Sequence, residues 1–470
     1  MPTVRTKAVA AAIAAVVLAL LVTLVDGSWK GTPLTAGAAD GVDRVDNAAL
    51  TPPVLVPVSG DPAGATPTDA GITAALAQPM GANALGEPPA VSVVDALTGR
   101  RLYGSDATHA ATPASTTKIV TAAAALTAPG PDHRITTRVV SGSAPGTIVL
   151  VGGGDPTLTA LDGRQYAGRY QPARLSDLAA QTAAALKTAG TTDVALRYDT
   201  TLYTGPAVHP IGENENIAPV VSLMVDEGRV NPSIVGKEST RVATPGADAA
   251  KKFATMLKTH GITVDGAPAA GTAPTAAADL ASVQSPPMSA MVEQMLTVSD
   301  NDMAEALLRQ VAIAKGEPAS FEGGTTASRA VLEGLGVDFG DSDLKDGSGL
   351  DATDRLTPQT LVQTLAAAAS PQHPELRWVL TGLPIAGFTG TLADRYGVDG
   401  ASGDAAGVVR AKTGSLSGVS TLAGVVRDRD GRLLAFAILA DRVPGDAEPA
   451  RAAIDRMAAA LADCGCGTPT

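Results

Sequence analysis

The chain opens with one long apolar run, and its later apolar positions come in short runs separated by turn residues. Residues 8–25 (AVAAAIAAVVLALLVTLV) carry no charge, and Arg5 and Lys7 precede them. A basic flank before such a run is typical of a secretory signal peptide or of a signal anchor in the inner membrane. We therefore predict that residues 1–30 direct export and that the remainder lies outside the cytoplasm, in the periplasm or cell envelope.

The next segment, residues 31–88, has no pattern that would bury a core. Residues 31–90 contain nine of the 33 prolines, no aromatic residue and no lysine. Such a composition is typical of an extended and mobile linker. The pattern predicts that the folded part of the protein begins at Pro89.

Beyond Pro89, short apolar runs predict a β-hairpin and a three-stranded antiparallel meander, and longer apolar patterns predict helices. The predicted strands are residues 90–94, 101–103, 407–411, 419–426 and 433–440. The predicted helices are residues 113–128, 174–188, 248–259, 288–298, 302–314 and 447–462.

The stretch 131–274 reads as a separate unit inside the chain. Its apolar runs are strand-like, are broken by Gly, Pro and Asp, and alternate with two of the predicted helices. We therefore predict an α+β insertion over residues 131–274. It divides one domain made of residues 89–130 and 275–463, and residues 464–470 form a tail.

Composition excludes several classes of protein. Acidic residues outnumber basic ones by 47 to 35, the formal charge is −12, and aromatic residues make up only 3%. A nucleic-acid partner is not expected, because phosphate backbones require basic surfaces and bases stack on aromatic side chains. The two cysteines, Cys464 and Cys466, are too few for a four-cysteine zinc site or a disulfide framework. Their spacing leaves a local disulfide and an intermolecular pair both open.

Two Ser-x-x-Lys segments are candidates for a nucleophilic serine served by a lysine base. On a helix this spacing places both side chains on one face, one turn apart. Ser115 and Lys118 open a predicted helix with an apolar remainder, whereas Ser342 and Lys345 lie in a loop rich in Asp and Gly. Burial lowers a lysine pKa toward neutrality, as a base requires, so we assign the site to Ser115 and Lys118.

Two further short motifs follow in the chain. Ser299-Asp300-Asn301 is a Ser-x-Asn segment between two predicted helices, and Lys412-Thr413-Gly414 ends a predicted strand. Taken alone, the Ser-x-Asn segment is explained as well by helix capping as by a catalytic role. The Lys-Thr-Gly segment is likewise explained as well by an edge-strand lysine before a turn. The order Ser-x-x-Lys, Ser-x-Asn, Lys-Thr-Gly, with each motif in a suitable context, makes coincidence a weak explanation.

With these three motifs, the chain resembles the penicillin-recognising serine D,D-peptidases and β-lactamases. It most resembles the S13-type, class C low-molecular-mass penicillin-binding proteins, which are D-alanyl-D-alanine carboxypeptidases and endopeptidases. The resemblance covers about residues 89–461 and includes four further strings, VGGGDPTL (151–158), DGSGL (346–350), LPIAG with GTL (383–387 and 390–392) and AKTGSL (411–416). The long separation of Lys118 from Ser299 also resembles this group, which carries extra domains at that point.

The resemblance implies an α/β (α+β) fold of the penicillin-binding transpeptidase and β-lactamase type, an antiparallel sheet flanked by helices with a large α+β insertion. It implies that Ser115 attacks the carbonyl between two D-alanines and forms an acyl-enzyme, while Lys118 accepts its proton. Ser299 would pass a proton to the leaving amine. The backbone N–H groups of Ser115 and Ser415 would form the oxyanion hole.

It further implies that Asn301 holds the substrate amide and that Lys412 and Thr413, followed by Gly414, bind the terminal carboxylate. The substrates would be peptidoglycan stem peptides, β-lactam antibiotics would be covalent inhibitors, and neither metal nor cofactor would be required. Asp199 resembles an acid that meets a free amine of the substrate side chain, although its position after a strand favours a simple turn residue. A serine β-lactamase and a non-catalytic envelope scaffold of the same fold remain alternatives, and the balance between carboxypeptidase and endopeptidase stays open.

Overall fold

The structure is a computed structural model that describes residues 65–162, 170–232, 239–397 and 402–467. The predicted export segment, residues 1–30, lies outside the described residues, as does most of the predicted linker. Within the described residues, no helix is both long enough and apolar enough to cross a membrane.

The described residues form ten α-helices and eleven strands. The helices are α1 (Asp69–Met80), α2 (Thr117–Thr127), α3 (Leu175–Thr188), α4 (Pro245–Thr259), α5 (Met288–Val298), α6 (Asn301–Lys315), α7 (Phe321–Gly334), α8 (Pro358–Ala369), α9 (Arg377–Gly382) and α10 (Ala447–Ala462). The strands are β1 (Ala90–Asp95), β2 (Arg101–Ser105), β3 (Thr136–Ser141), β4 (Thr147–Val151), β5 (Asp193–Asp199), β6 (Thr263–Val264), β7 (Ala269–Ala270), β8 (Asp279–Gln284), β9 (Arg410–Leu416), β10 (Val419–Arg427) and β11 (Leu433–Ala440).

The first sheet joins strands from residues 90–105 to strands from residues 410–440. Its strand order is β2-β1-β11-β10-β9, and each neighbouring pair is antiparallel. The predicted hairpin and meander are therefore confirmed, and together they form one sheet. One detail differs from the prediction: the Lys-Thr-Gly motif lies within β9, because Gly414 pairs with Thr421 of β10 and extends the ladder.

Alternation along β11 explains why this sheet is covered on both faces. Ala435 and Ala437 face a core formed largely by α2, α5, α6 and α8. Leu434 and Phe436 face a second core with α1 and α10. Side chains alternate between the two faces of a strand, so a strand that is apolar at every position must be buried on both. The fold class is as predicted, an antiparallel sheet between layers of helices.

The structure corrects the predicted end of the linker. Residues 69–80 form α1, which begins where the Thr68 side chain accepts the N–H of Gly71. Ile72 and Leu76, four residues apart, are fully buried against α10. The prediction missed this helix because the surrounding segment is rich in proline. The helix tolerates its own Pro79 because that residue lies in the last turn, where little of the helix remains to be disrupted.

A second sheet is formed by five strands of the predicted insertion and by β8, which follows it. Its order is β6-β5-β4-β3-β8, with β7 also beside β5, and α3 and α4 complete a separate core. The predicted boundary at residue 274 is one strand short, because β8 (279–284) pairs with β3. Sequence reasoning missed this because β8 is short and half exposed and so lacks a strong apolar pattern.

The structure decides between the local disulfide and the intermolecular pair that the sequence left open for the two cysteines. Cys464 and Cys466 form a disulfide with each other, just after the end of α10. Cys464 is buried in the core beneath α10. The bond therefore closes a small local loop and does not tie separate elements together.

Candidate active site

The turn that carries Ser115 lies between the first sheet and α2. Residues 114–116 form a short 3-10 helix that leads directly into α2, whose residues 117–126 are all buried. Ala114 adopts a positive φ of 47°. Non-glycine residues rarely adopt this conformation, and it persists where surrounding contacts determine the backbone. The contacts that impose this conformation hold Ser115 just before the first residue of the buried helix α2.

Lys118 lies one turn along and contacts Ser115 directly. Its Nζ is 3.0 Å from Ser115 Oγ, 2.7 Å from Asn301 Oδ1 and 2.6 Å from the Ser348 carbonyl oxygen. The side chain is fully buried. Burial lowers the pKa of Lys118 to about 8, against the opposing charges of Asp346, Glu305, Asp300 and Asp354. The amine is thus a base that can become neutral near physiological pH.

The Ser-x-Asn motif forms the junction between α5 and α6. Ser299 ends α5 in the left-handed conformation with φ of 63°, and the side chain of Asp300 caps α6 by accepting the N–H of Met303 at 2.9 Å. The predicted capping is therefore present, but Asp300 is the residue that provides it. The tight junction leaves Ser299 and Asn301 directed toward the nucleophile.

Lys412 connects the second and third motifs. Its Nζ lies 2.9 Å from Ser299 Oγ and 2.8 Å from the carbonyl oxygen of Thr413. Thr413 Oγ1 in turn donates to Thr391 Oγ1 at 2.8 Å. The site therefore holds two serine–lysine pairs, Ser115 with Lys118 and Ser299 with Lys412, and Asn301 contacts Lys118 of the first pair.

The serines of both pairs line one cavity of about 610 Å³. Its walls include Ser115, Ser299, Asn301, Thr413 and Ser415 from outside the inserted region, and Asn216, Arg229 and Arg241 from within it. The lining mixes apolar side chains with several convergent polar ones, as is usual for the site of a small organic ligand.

The inserted region holds the Ser-x-Asn motif from the side away from Lys118. Asn301 Nδ2 donates to the carbonyl of Asn216 at 3.1 Å, which orients its Oδ1 toward Lys118. The next residue, Asp302, accepts the Ala218 N–H at 2.8 Å and Arg241 Nη2 at 2.7 Å. Burial raises the pKa of Asp302 to about 7, against the lowering effect of Arg241. The insertion therefore contributes directly to the walls of the site.

The second Ser-x-x-Lys segment, which its loop context argued against, makes other contacts. Ser342 Oγ bonds the Thr360 hydroxyl and the Thr357 N–H, and Lys345 Nζ pairs with Asp343 at the surface. This second Ser-x-x-Lys segment thus has no serine–lysine contact among the hydrogen bonds of the described residues.

Asp199 ends β5 in the second sheet and is not among the described residues that line the cavity. Its carboxylate accepts N–H groups from Ala273 and Thr201 and the Thr201 hydroxyl. Burial acts to raise the pKa of Asp199, but these hydrogen bonds outweigh it and leave the pKa below its usual range. The geometry is that of a turn residue.

Sequence reasoning missed the loop at residues 346–350 as part of the site. This loop supplies the Ser348 carbonyl to Lys118, and Glu305 Oε1 holds it through the N–H groups of Gly347 and Ser348 at 3.0 and 2.9 Å. The string DGSGL carried the only available signal. Its contribution could not be read from the sequence, since a backbone carbonyl has no residue-type signature.

Comparisons with known proteins place the chain in a family. It is 39% identical over 472 residues to carboxypeptidase DacB of Mycolicibacterium smegmatis, covering 99% of each chain. It is 40% identical over 425 residues to a carboxypeptidase of Mycobacterium tuberculosis, covering 88% of each. A D-alanyl-D-alanine carboxypeptidase of an Actinomadura species is 32% identical, with 79% of this chain and 81% of the relative covered.

Among solved structures, penicillin binding protein 4 of Haemophilus influenzae is similar in fold, with a TM-score of 0.66 and 23% identity over 82% of this chain and 97% of that one. The family model described as D-Ala-D-Ala carboxypeptidase 3 (S13) matches residues 70–239 and 235–463. With most of its length matched and full-length relatives near 40% identity, the chain belongs to the D-Ala-D-Ala carboxypeptidase 3 (S13) family.

Proposed function

We propose that this protein hydrolyses the D-alanyl-D-alanine bond of peptidoglycan stem peptides through an acyl-enzyme on Ser115. The observation that carries the proposal is the 3.0 Å contact between Lys118 Nζ and Ser115 Oγ, made by a buried amine with a pKa of about 8. A hydroxyl becomes a competent nucleophile when a positioned base takes its proton. Membership of the family supports the same reaction.

In the acylation step, neutral Lys118 accepts the proton of the Ser115 hydroxyl while Oγ attacks the penultimate D-alanine carbonyl. Negative charge develops on the carbonyl oxygen, and the backbone N–H groups of Ser115 and Ser415 stabilise it. Both residues line the cavity, which is consistent with a carbonyl bound between them.

When the tetrahedral species collapses, the C–N bond breaks and the leaving D-alanine amine needs a proton. Ser299 relays to it the proton that Lys118 took from Ser115, which returns Lys118 to its neutral form. Lys412 stays a cation throughout, and its Nζ holds the Ser299 hydroxyl at 2.9 Å. Lys412 and Thr413 bind the terminal carboxylate, because a fixed cation and a hydroxyl suit a carboxylate in a cleft. Asn301 binds the acyl-donor amide, and water then hydrolyses the ester.

The same acylation explains how β-lactams would inhibit the protein. The lactam carbonyl takes the place of the scissile carbonyl, but its leaving nitrogen stays tethered in the opened ring, so the ester persists. A chromogenic cephalosporin separates this proposal from a β-lactamase: the D,D-peptidase is acylated once per site, whereas a β-lactamase turns the compound over continuously.

The decisive experiment combines labelling with product analysis. Wild-type protein incubated with a fluorescent penicillin should be labelled at Ser115, and Ser115→Ala should abolish both labelling and release of D-alanine from stem peptides. Ser342→Ala, in the other Ser-x-x-Lys segment, is the matched control and should retain both. Normal labelling of Ser115→Ala would refute the assignment, and mass spectrometry of cross-linked cell-wall fragments measures endopeptidase activity in the same sample.

Export through residues 1–30 and a linker after them are part of the proposal. The uncharged run at residues 8–25 behind Arg5 and Lys7 supports them. Fractionation of cells that express the full chain, compared with a chain lacking residues 1–30, tests it. Activity that remains in the cytoplasmic fraction with both chains would contradict export, and the membrane fraction distinguishes an anchor from a cleaved signal.

A further inference from the structure

A histidine of the inserted region makes a buried contact with the peptidase domain. His209 Nε2 lies 3.0 Å from Asp346 Oδ2, and both side chains are fully buried. The other ring nitrogen, Nδ1, accepts the backbone N–H of Ile211 at 3.3 Å. Because Nδ1 accepts this N–H, the proton that faces Asp346 is on Nε2, and His209 donates it to the carboxylate. The tautomer is therefore fixed by the inserted region itself.

Asp346 transmits this contact to the loop at residues 346–350. Its Oδ1 accepts the N–H groups of Ser348 and Gly349 at 3.0 and 2.5 Å, and its Oδ2 accepts the N–H of Asp351 at 2.8 Å. The carboxylate thus accepts three backbone N–H groups within four residues of the loop. Burial acts to raise the pKa of Asp346, but the hydrogen bond from His209 and these N–H groups keep it below its usual value.

The loop ends against the turn that carries Ser115 and against Lys118. Gly349 has φ of 77° and approaches so closely that a Cβ on it would lie 1.9 Å from the Ala114 carbonyl oxygen. The carbonyl of the preceding residue, Ser348, accepts from Lys118 Nζ at 2.6 Å. A displacement of this loop by a fraction of an ångström therefore changes the surroundings of Lys118.

Orientation of the Lys118 amine depends on this carbonyl. A neutral amine has two N–H bonds and one lone pair. Asn301 Oδ1 and the Ser348 carbonyl accept the two N–H bonds, which leaves the lone pair directed at Ser115 Oγ. If the Ser348 carbonyl moves, the amine can rotate and the lone pair no longer faces the hydroxyl.

We propose that His209 is a positioning residue for acylation, which acts through Asp346 and Ser348 to direct the Lys118 lone pair at Ser115. The inference rests on the proposed function and adds a catalytic purpose for the insertion. A contact from the inserted region fixes a loop of the peptidase domain, so that the base is competent only when the two parts are packed together.

The surroundings of His209 favour this contact over a metal ion. Glu305 faces Asp346 from α6, but its Oε1 is occupied by the N–H groups of Gly347 and Ser348. Arg309, also on α6, lies 3.4 Å from Glu305 Oε2 and 4.1 Å above the Phe321 ring. The edge of the same ring packs against His209, with centroids 5.2 Å apart. The carboxylates are thus already satisfied by hydrogen bonds within the protein.

Two amide variants test the proposal, because they share polarity but differ in reach. The amide nitrogen of Gln occupies the place of Nε2, so His209→Gln keeps the donor to Asp346. Asn is one methylene shorter, so His209→Asn lacks that donor. His260→Asn, at an exposed histidine after α4 in the same inserted region, is the matched surface control.

The measurement is the rate constant of acylation by a fluorescent penicillin across pH 5–10, expressed per site labelled at completion, so that loss of folded protein does not affect it. For His209→Asn we expect a reduction of roughly 10- to 100-fold, as small misplacements of a catalytic group cause. The acid limb of its pH profile should also move to lower pH, since the Lys118 ammonium loses the Ser348 acceptor while Asp346, Glu305, Asp300 and Asp354 still face it. His209→Gln should lie within about threefold of wild type by the same reasoning.

Equal rate constants and pH profiles for wild type and His209→Asn would overturn the positioning role. So would equal losses in the Asn and Gln variants, since these would report only disturbed packing around the ring. Failure of the proposed function is distinguishable from either result, because in that case wild-type protein itself would not be labelled at Ser115.

Discussion

Gly414 lies so close to the turn before the nucleophile that a Cβ on it would come within 2.7 Å of the Pro113 carbonyl oxygen. The same Cβ would fall 2.1 Å from Thr421 Oγ1, which itself donates to that carbonyl at 2.8 Å. Glycine therefore permits β9 to lie directly against the Ser115 turn. This contact sets the distance between Ser115 and the Lys412-Thr413 pair that is proposed to bind the substrate carboxylate.

Replacement of Gly414 by alanine should separate these two parts of the site. We expect Gly414→Ala to reduce the penicillin acylation rate by about 100-fold, because a shift near 1 Å misplaces the carbonyl relative to Ser115. Stopped-flow labelling measures it. Gly334→Ala, at a glycine whose added Cβ would meet nothing within 4 Å, is the control and should keep the wild-type rate. An unchanged rate for Gly414→Ala would show that the close approach is dispensable.

The pKa of Lys118 predicts a specific pH dependence. Burial holds this pKa near 8, and the amine is a base only when neutral, above the pKa. The acylation rate constant should therefore rise about tenfold per pH unit below pH 8 and level off above it. A plateau that already begins near pH 6 would instead indicate a histidine or carboxylate base.

Lysine at position 118 cannot be exchanged for arginine. A guanidinium stays protonated throughout this pH range, so Lys118→Arg should reduce acylation by roughly 10²- to 10⁴-fold although the positive charge is retained. Lys345→Arg, at the exposed lysine of the second Ser-x-x-Lys segment, should leave the rate unchanged. Similar rates for wild type and Lys118→Arg would exclude Lys118 as the base.

Asp199 gives a prediction about stability and not about substrate binding. Its carboxylate accepts N–H groups from Thr201 and Ala273, so Asp199→Asn should lower the free energy of unfolding by about 1–3 kcal/mol. Urea denaturation measures this change. The ratio kcat/KM should stay the same for stem peptides with and without a free side-chain amine. A selective loss with the amine-bearing peptide would restore the role that family resemblance implies.

Helix α1 should contribute to the stability of the whole peptidase domain. Leu76 is fully buried between α1 and α10, and Leu76→Ala should cost about 2–5 kcal/mol of unfolding free energy. Thr73→Ala, on the exposed side of the same helix, is the control. If Leu76→Ala unfolds at the wild-type urea midpoint, α1 does not belong to the cooperative unit.

Much of the fold could be predicted because its signals are local. The strand at residues 433–440 and the helix at 447–462 have the predicted bounds, since an unbroken apolar run between turn residues and an amphipathic period are readable without knowledge of neighbours. Helix α1 and strand β8 were missed, because a proline-rich context and a half-exposed strand weaken the same signals.

For the candidate site, the sequence by itself predicted which side chains would carry the chemistry. The motifs are short, and in each one the spacing keeps together residue types that a chemical role requires. They are Ser115 with Lys118, Ser299 with Asn301, and Lys412 with Thr413. Only the tertiary structure decided that Lys118 meets Asn301 and that Lys412 meets Ser299. The sequence context already set Ser342 and Lys345 aside, and in the structure Lys345 pairs with Asp343. The tertiary structure also decided that a histidine from the insertion reaches Asp346, 137 residues away. Such contacts depend on packing between distant segments and on backbone carbonyls, neither of which leaves a pattern in the sequence.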